Sequence, residues 1–419
     1  MTLKPPISAV LLLAILAVVA TARLWIAGQQ GDFHFEDEGL YFNIGRNLAL
    51  ENRYALNNEF AIRQAPGLPF ALGLLGKMTR LTPLKARDLN GLVSATAVAF
   101  YGWAAWLMTR RRAAVATVLL LTGFHPAFLY MSVTNYPQAF QAFWLACLVL
   151  VWAVRHDRTE LSAGWGVGDG ALIGLGALFV PTQIFVIPAA AIFHLRQGWR
   201  WMSTYLVLLG AGLLLVVGPW IVRNLVVEKQ FIPFSTAGGE QFYWGFNDQA
   251  GPNTGISIAK IAVPEEMKRE LWHAGSGKAA EQVFADHAKV WIRAHPARAA
   301  GLWMLKFANF FRLDNGNMVM ESERSAGREW VARVTSLGVF GVALLGCWRL
   351  RRRAPEWPVA TGVLLLALAA GHAFFISRYR YRLPFEPFLV LVGVLGWFGI
   401  RPPAASVSLN TAAETVHDD

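Results

Sequence analysis

Charge is scarce in this chain: 16% of its 419 residues are Asp, Glu, Lys or Arg, whereas 55% are hydrophobic and 13% aromatic. So small a charged share, with a positive mean hydropathy, excludes an ordinary soluble enzyme and reads as a polytopic membrane protein. Cysteine is scarcer still. Cys147 and Cys347 both lie inside apolar runs, which excludes a disulfide framework or a thiolate metal site. His34, His125 and His372 are scattered without ligand spacing, so a histidine-rich zinc site is excluded as well. The chain lacks a Walker loop, a dinucleotide fingerprint and a serine-nucleophile elbow, which disfavours an ATP-driven transporter. No internal repeat, low-complexity tract or soluble domain with a core of its own is legible.

What is present is a series of apolar runs with basic knots between them. The formal charge of +11 is not spread as a stripe, so it marks topology rather than nucleic-acid binding. The run Ile7–Ala27 follows Lys4 and has no clear small-residue cleavage site, so it is expected to be an uncleaved first helix. Further runs cover Leu92–Met108, Ala113–Ser132, Ala139–Val154, Tyr205–Val222, Val331–Trp348, Val359–Ile376 and Phe385–Ile400. The stretch Gly166–Leu195 is divided by Pro181 into two short pieces. Two passes there would return Arg196 and Arg200 to the side of Lys4, Arg110–Arg112, Arg155, Arg158, Arg349, Arg351–Arg353 and Arg401. The expectation is an all-α bundle of about ten transmembrane helices with both termini cytoplasmic. Residues 1–401 form a single domain in this reading, and the small, polar tail 402–419 is expected to be disordered.

Two segments remain on the outer side, 28–90 and 223–330. In the first, Leu40, Ile44, Leu48 and Leu50 have near-helical spacing, as for a helix lying along the membrane surface. In the second, His295-Pro296 opens an apolar and basic helix reaching Phe311 that is expected to lie in the interface.

Four motifs could carry chemistry. Glu36-Asp37-Glu38-Gly39 either caps a helix through its dipole or supplies a base, since an aspartate with an ordinary pKa of about 3.9 is ionised near neutrality. Arg63-Gln64-Ala65-Pro66-Gly67-Leu68-Pro69 reads equally as a turn into a helix or as a site with Arg63 on a phosphate. Arg378-Tyr379-Arg380-Tyr381-Arg382-Leu383-Pro384 places three arginines on the outer side, against the positive-inside bias. They either snorkel to headgroups or bind a lipid phosphate. Gln241-Phe242-Tyr243-Trp244-Gly245-Phe246-Asn247-Asp248 suits a sugar site, with Tyr243 and Trp244 as rings and Asn247 as an amide, and suits an interfacial aromatic belt as well.

The order of these motifs along the spans resembles the GT-C-fold membrane glycosyltransferases of the protein-mannosyltransferase and aminoarabinose-transferase superfamily, with a size similar to the bacterial RgtA/B/C/D-like members. The resemblance rests on Asp37-Glu38-Gly39, Pro66-Gly67-Leu68-Pro69, Pro219-Trp220-Ile221-Val222-Arg223-Asn224 and Arg380-Tyr381-Arg382-Leu383-Pro384. It implies inverting transfer of a sugar from a polyprenyl-phosphate donor to an envelope glycolipid, polysaccharide or protein on the outer face of a bacterial inner membrane. Asp37 would be the base with Glu38 beside it, while Arg63, Arg378, Arg380 and Arg382 hold the donor phosphate and Gln64 and Gln138 line the substrate site. Many relatives carry a carboxylate where this chain has Gln138, within Thr134-Asn135-Tyr136-Pro137-Gln138. A required metal is therefore not expected, although a divalent cation remains possible. The alternatives are a lipid-linked-sugar flippase and a non-catalytic subunit of an envelope polysaccharide machine. No nucleic-acid partner is expected.

Overall fold

A computed structural model describes residues 9–31, 33, 36–56, 59–60, 63–156, 162–195, 198–252, 263–275, 277–314 and 325–401. The expected tail 402–419, Arg196 and His34 lie outside them. The chain is an all-α membrane protein. Among the described residues the one sheet is an antiparallel pair of two-residue strands, β1 (Ala55–Leu56) and β2 (Glu59–Phe60).

Among the described residues, seven helical segments are long and apolar enough to cross a membrane: α1 (Ala9–Gln29), α4 (Pro83–Thr109), α7 (Gln138–Arg155), α10 (Trp199–Val227), α15 (Ala326–Leu350), α16 (Glu356–Ala373) and Tyr379–Phe398. The last ends in α17 (Glu386–Phe398). α5 (Arg112–Gly123) and α6 (Pro126–Ser132), bent by 66° to each other, form a broken span or a re-entrant loop. The sequence pattern predicts one straight helix over 113–132. The bend arises because Pro126 opens a new helix and His125 caps it, its Nδ1 accepting the Phe128 N–H at 3.1 Å. These spans are fewer than the ten passes expected; the stretch expected to make two of them forms α8 (Trp165–Phe179) and a broken piece of the 3-10 turn Pro181–Val186 and α9 (Ile187–Ile192). Each is shorter than a straight span requires.

Protein rather than lipid surrounds much of α8, because small residues let it approach α10 closely. A Cβ on Gly170 would sit 1.9 Å from the Leu209 carbonyl oxygen, and one on Gly212 would sit 2.0 Å from that of Val167. The final span is the central one. Its residues from Glu386 to Gly396 are buried, whereas α1 leaves Val10, Leu13 and Trp25 exposed, as lipid-facing side chains are.

One end of the bundle gathers the basic knots. Arg401 donates from Nε to the Leu107 carbonyl at 2.8 Å and from its backbone N–H to that of Met108 at 2.9 Å. His156 Nε2 lies 3.0 Å from the Arg401 carbonyl oxygen, and Arg155 bridges to the buried Asp169 at 2.7 Å.

The other end carries the expected surface elements. α2 (Glu36–Glu51) packs on α3 (Gly67–Met78) and buries Tyr41, Phe42 and Ile44. The later segment folds into an outer lobe of α11 (Gly238–Gly245), α12 (Glu265–Ala274), α13 (Lys278–Ala294) and α14 (Pro296–Asn309). α14 ties this lobe to the last span. Lys306 donates to the carbonyls of Gly245 at 3.0 Å and Phe375 at 3.1 Å, and Asn309 Nδ2 donates to those of Pro252 and Ser377, both at 2.9 Å. Burial lowers the Lys306 pKa from the usual 10.5 to about 7.

Candidate active site

Three chain segments meet at this second end. Glu38, in the first turn of α2, is fully buried; its Oε1 accepts the Asn135 N–H at 2.7 Å and its carbonyl accepts Asn135 Nδ2 at 2.8 Å. That pair staples α2 to the loop before α7. Asp37, one position earlier on the helix, is half-buried. Its charge acts on Tyr41, Tyr136 and Arg378, which marks these groups as its neighbours.

The third segment is the 3-10 turn Tyr379–Tyr381. Arg380 lies over the rings of Tyr136 at 5.0 Å and Tyr381 at 5.3 Å. Tyr381 stacks on His372 at 4.6 Å and 3°, and His372 on Phe310 at 5.9 Å. Tyr41 meets Tyr136 edge-on at 6.4 Å. A cation thus rests on a column of rings that limits its sideways movement. The Nε atoms of Arg378 and Arg380 are buried without a hydrogen-bond partner, a costly state for a donor that only a ligand or a water would relieve. Burial, and then the like charge of Arg380, pulls the Arg378 pKa down. Burial pushes Tyr136 up to about 12, with Arg380 opposing it and Asp37 adding to it, so the phenol stays protonated and can donate.

Several expected site residues lie elsewhere. Arg382 is fully buried and turned inward: Nε donates to Glu386 at 2.8 Å, Nη1 to the carbonyls of Phe310 and Arg312, and Nη2 to Ser336 Oγ. Glu386 also meets His125 Nε2 at 3.1 Å. Arg382 therefore holds the bundle together, which corrects its placement among the phosphate ligands. Arg63 is spent at the rim on Glu240 of α11, at 2.8 Å. Gln64 is half-buried, and its backbone carbonyl accepts the Tyr54 hydroxyl at 2.8 Å. Tyr243 and Trp244 are buried in the outer lobe's core with Met267, Ala288 and Trp291, so they offer no open ring face to a sugar. Asn247 folds back on its own backbone, donating to the Tyr243 carbonyl and accepting from the Gln249 N–H, both at 2.8 Å. Gln138, first residue of α7, is buried two positions from Tyr136.

Tyr41, Tyr136, Tyr381 and His372 belong to the cluster but were not singled out from the sequence as site residues. A signal existed for two of them. Tyr41 falls one helical turn after Asp37, and Tyr381 alternates with the arginines in Arg-Tyr-Arg-Tyr-Arg.

A metal fits this arrangement poorly. Among the described residues no group of three His, Cys, Asp or Glu side chains is placed to hold one. Glu38 is committed to Asn135, and a neutral amide stands at Gln138.

With this geometry in hand, comparison with known proteins is informative. Residues 66–222 match the family model described as dolichyl-phosphate-mannose-protein mannosyltransferase. The archaeal oligosaccharyltransferase AglB from Archaeoglobus fulgidus, solved with an inhibitory peptide and a dolichol-phosphate, is similar over 97% of this chain at 12% identity and a TM-score of 0.52. Its apo form gives 98%, 14% and 0.50. This chain spans 52% of that protein's length. ArnT from Cupriavidus metallidurans bound to undecaprenyl phosphate matches over 93% of this chain and 79% of its own, with 16% identity and a TM-score of 0.49. No curated protein sequence matches significantly. The chain has the fold of the GT-C glycosyltransferase superfamily.

Proposed function

We propose that this protein is an inverting glycosyltransferase that moves a sugar from a polyprenyl-phosphate carrier to an envelope glycolipid, polysaccharide or protein. The work is done on the outer face of a bacterial inner membrane, with both termini cytoplasmic. The observation that carries this reading is the convergence of a half-buried aspartate with two arginines whose Nε donors are unpartnered, at the end of the bundle opposite the basic knots. Carboxylates and cations held together at membrane depth are costly and suit a reacting anionic lipid. The family model over 66–222 and the fold shared with an oligosaccharyltransferase that binds a dolichol-phosphate support the same class of donor.

In the reaction an acceptor hydroxyl attacks the anomeric carbon, and the bond from that carbon to the phosphate oxygen breaks. Asp37 takes the hydroxyl proton. The leaving phosphate changes from diester to monoester and gains negative charge, so Arg380 and Arg378 bind it more strongly in the transition state than in the ground state. Glu38 and Asn135 fix the distance between α2 and α7 across which the two reactants must meet.

Asp37→Asn keeps the shape but removes the base, and it is expected to cut transfer about a hundredfold or more while leaving donor binding in place. Mass spectrometry of envelope glycolipids and glycoproteins from cells with and without the protein supplies the sugar and the acceptor for that assay. Near-normal turnover by the purified Asp37→Asn protein would remove Asp37 from the role of base.

A further inference from the structure

The start of α7 is a helix end with nothing to cap it. Pro137 makes no side-chain cap, and the first turn holds no acidic residue. The first amide paired back into the helix is that of Gln141, which donates to the Pro137 carbonyl at 3.0 Å. The N–H groups of Gln138, Ala139 and Phe140 therefore have no partner within the helix. Water does not readily serve them, because these residues are 6%, 1% and 8% exposed. An 18-residue helix thus directs the positive end of its dipole into a buried place whose first turn holds no acidic residue, the Glu38 carboxylate just before it being engaged by the Asn135 N–H.

A second, independent feature is found at the same turn. Gln141 is 2% exposed, and its Nε2 is a buried donor without an acceptor. Helical side chains lean toward the N-terminus, so this amide covers the turn that opens at Gln138. Tyr136, directly before that turn, carries Arg380 on its ring at 5.0 Å, and Arg380 Nε also lacks a partner.

We infer that the N-terminus of α7, with Gln138, Gln141 and Arg380, is the cradle for the phosphate monoester of the prenyl carrier. Its amide dipoles do there what a divalent cation would otherwise do. The inference rests on the donor class proposed above and adds the place and the means of holding it. Three amides, the Gln141 Nε2 and the Arg380 guanidinium offer an anion hydrogen-bond donors, beside the buried side-chain oxygens of Gln138 and Asn135, which an anion would turn away by rotation of their amides. The neutral side chain at Gln138 follows from this chemistry, since a carboxylate there would repel the phosphate unless a cation lay between them.

The test is binding of farnesyl phosphate to the detergent-solubilised full chain in excess chelator, beside farnesol and inorganic phosphate. Wild type is expected to bind farnesyl phosphate about tenfold or more tightly than either control. Gln138→Glu is expected to weaken binding about tenfold or more and Gln141→Leu by a smaller factor, each with its thermal midpoint near that of wild type. Gln138→Leu, which adds no charge, keeps the question open to measurement should the glutamate variant fail to fold. It is expected to bind more tightly than Gln138→Glu and more weakly than wild type. Unchanged affinity in these variants would overturn the cradle while leaving the donor class standing. Binding that vanishes in chelator and returns with magnesium or manganese would assign the phosphate to a metal instead. Inorganic phosphate binding as tightly as farnesyl phosphate would overturn the lipid assignment. Failure of wild type to bind farnesyl phosphate under any condition would remove the donor class itself, and the cradle with it.

Discussion

Two positions separate Arg380 from Arg382, yet the intervening 3-10 turn sends one over Tyr136 and the other into the bundle interior. Lysine at the two positions should therefore fail in different ways. Arg380→Lys keeps the charge but loses the planar fork, and transfer is expected to fall about tenfold or more with an unchanged unfolding midpoint. Arg382→Lys strips donors from Glu386 and from the carbonyls of Phe310, buried, and Arg312, part-buried, which should cost about 3 kcal/mol or more of stability. Its expected sign is a lowered midpoint in detergent, with near-normal turnover per folded molecule. Lys306 offers a pH test of its own. The unfolded chain holds this proton up to its usual 10.5, while the folded chain releases it at about 7. Between those values the unfolded state binds more protons, so this residue makes the fold more stable as pH rises. The midpoint difference between wild type and Lys306→Met should accordingly shift in favour of wild type from pH 7 to 10, and a flat difference would contradict the assigned burial. At this scale the sequence revealed which residues were chemically unusual but not which way they point. Arg378, Arg380 and Arg382 look equivalent as letters. Only the turn geometry and the waiting acceptors at Phe310 and Arg312 distinguish the third.

Among the elements, the α8–α10 pair depends on absent side chains more than on present ones. Gly170→Ile would drive a branched side chain into the Leu209 backbone, and a backbone carbonyl cannot move aside as a flexible side-chain tip can. We expect Gly170→Ile to abolish the folded, monodisperse fraction on size-exclusion chromatography, whereas Gly210→Ala, with nothing within 4 Å of the added carbon, should behave as wild type. Long apolar runs such as 205–222 and 331–348 could be read as spans because a membrane helix must satisfy its own backbone over about 20 residues. The bend at His125-Pro126 and the shortness of α8 were less legible. The local cap at the bend is joined from a distant helix, where Glu386 meets His125, and the short α8 is shielded by α10. The aromatic run 242–246, which reads equally as a sugar site or an interfacial belt, has Tyr243 and Trp244 buried in the core of a small lobe, a placement set by distant neighbours rather than by the run itself.

For the molecule as a whole, the opposed ends make a prediction about sidedness. In a background without Cys147 and Cys347, a membrane-impermeant maleimide added to intact spheroplasts should label Trp272→Cys, on the highly exposed α12, and not Arg352→Cys, which lies exposed at the basic end. Labelling of Arg352→Cys alone would invert the proposed orientation. The same division into ends bears on how such a protein could be re-engineered. Lys306 and Asn309 fasten the outer lobe to the backbone at Phe375 and Ser377, one to three residues before Arg378 begins the arginine segment. The lobe is therefore not a detachable cassette. A chimera that exchanges residues 228–309 and keeps the host's 375–377 would put at risk the two hydrogen bonds, Lys306 to Phe375 and Asn309 to Ser377, directly upstream of the arginines, so a graft of this lobe has to carry both stretches together.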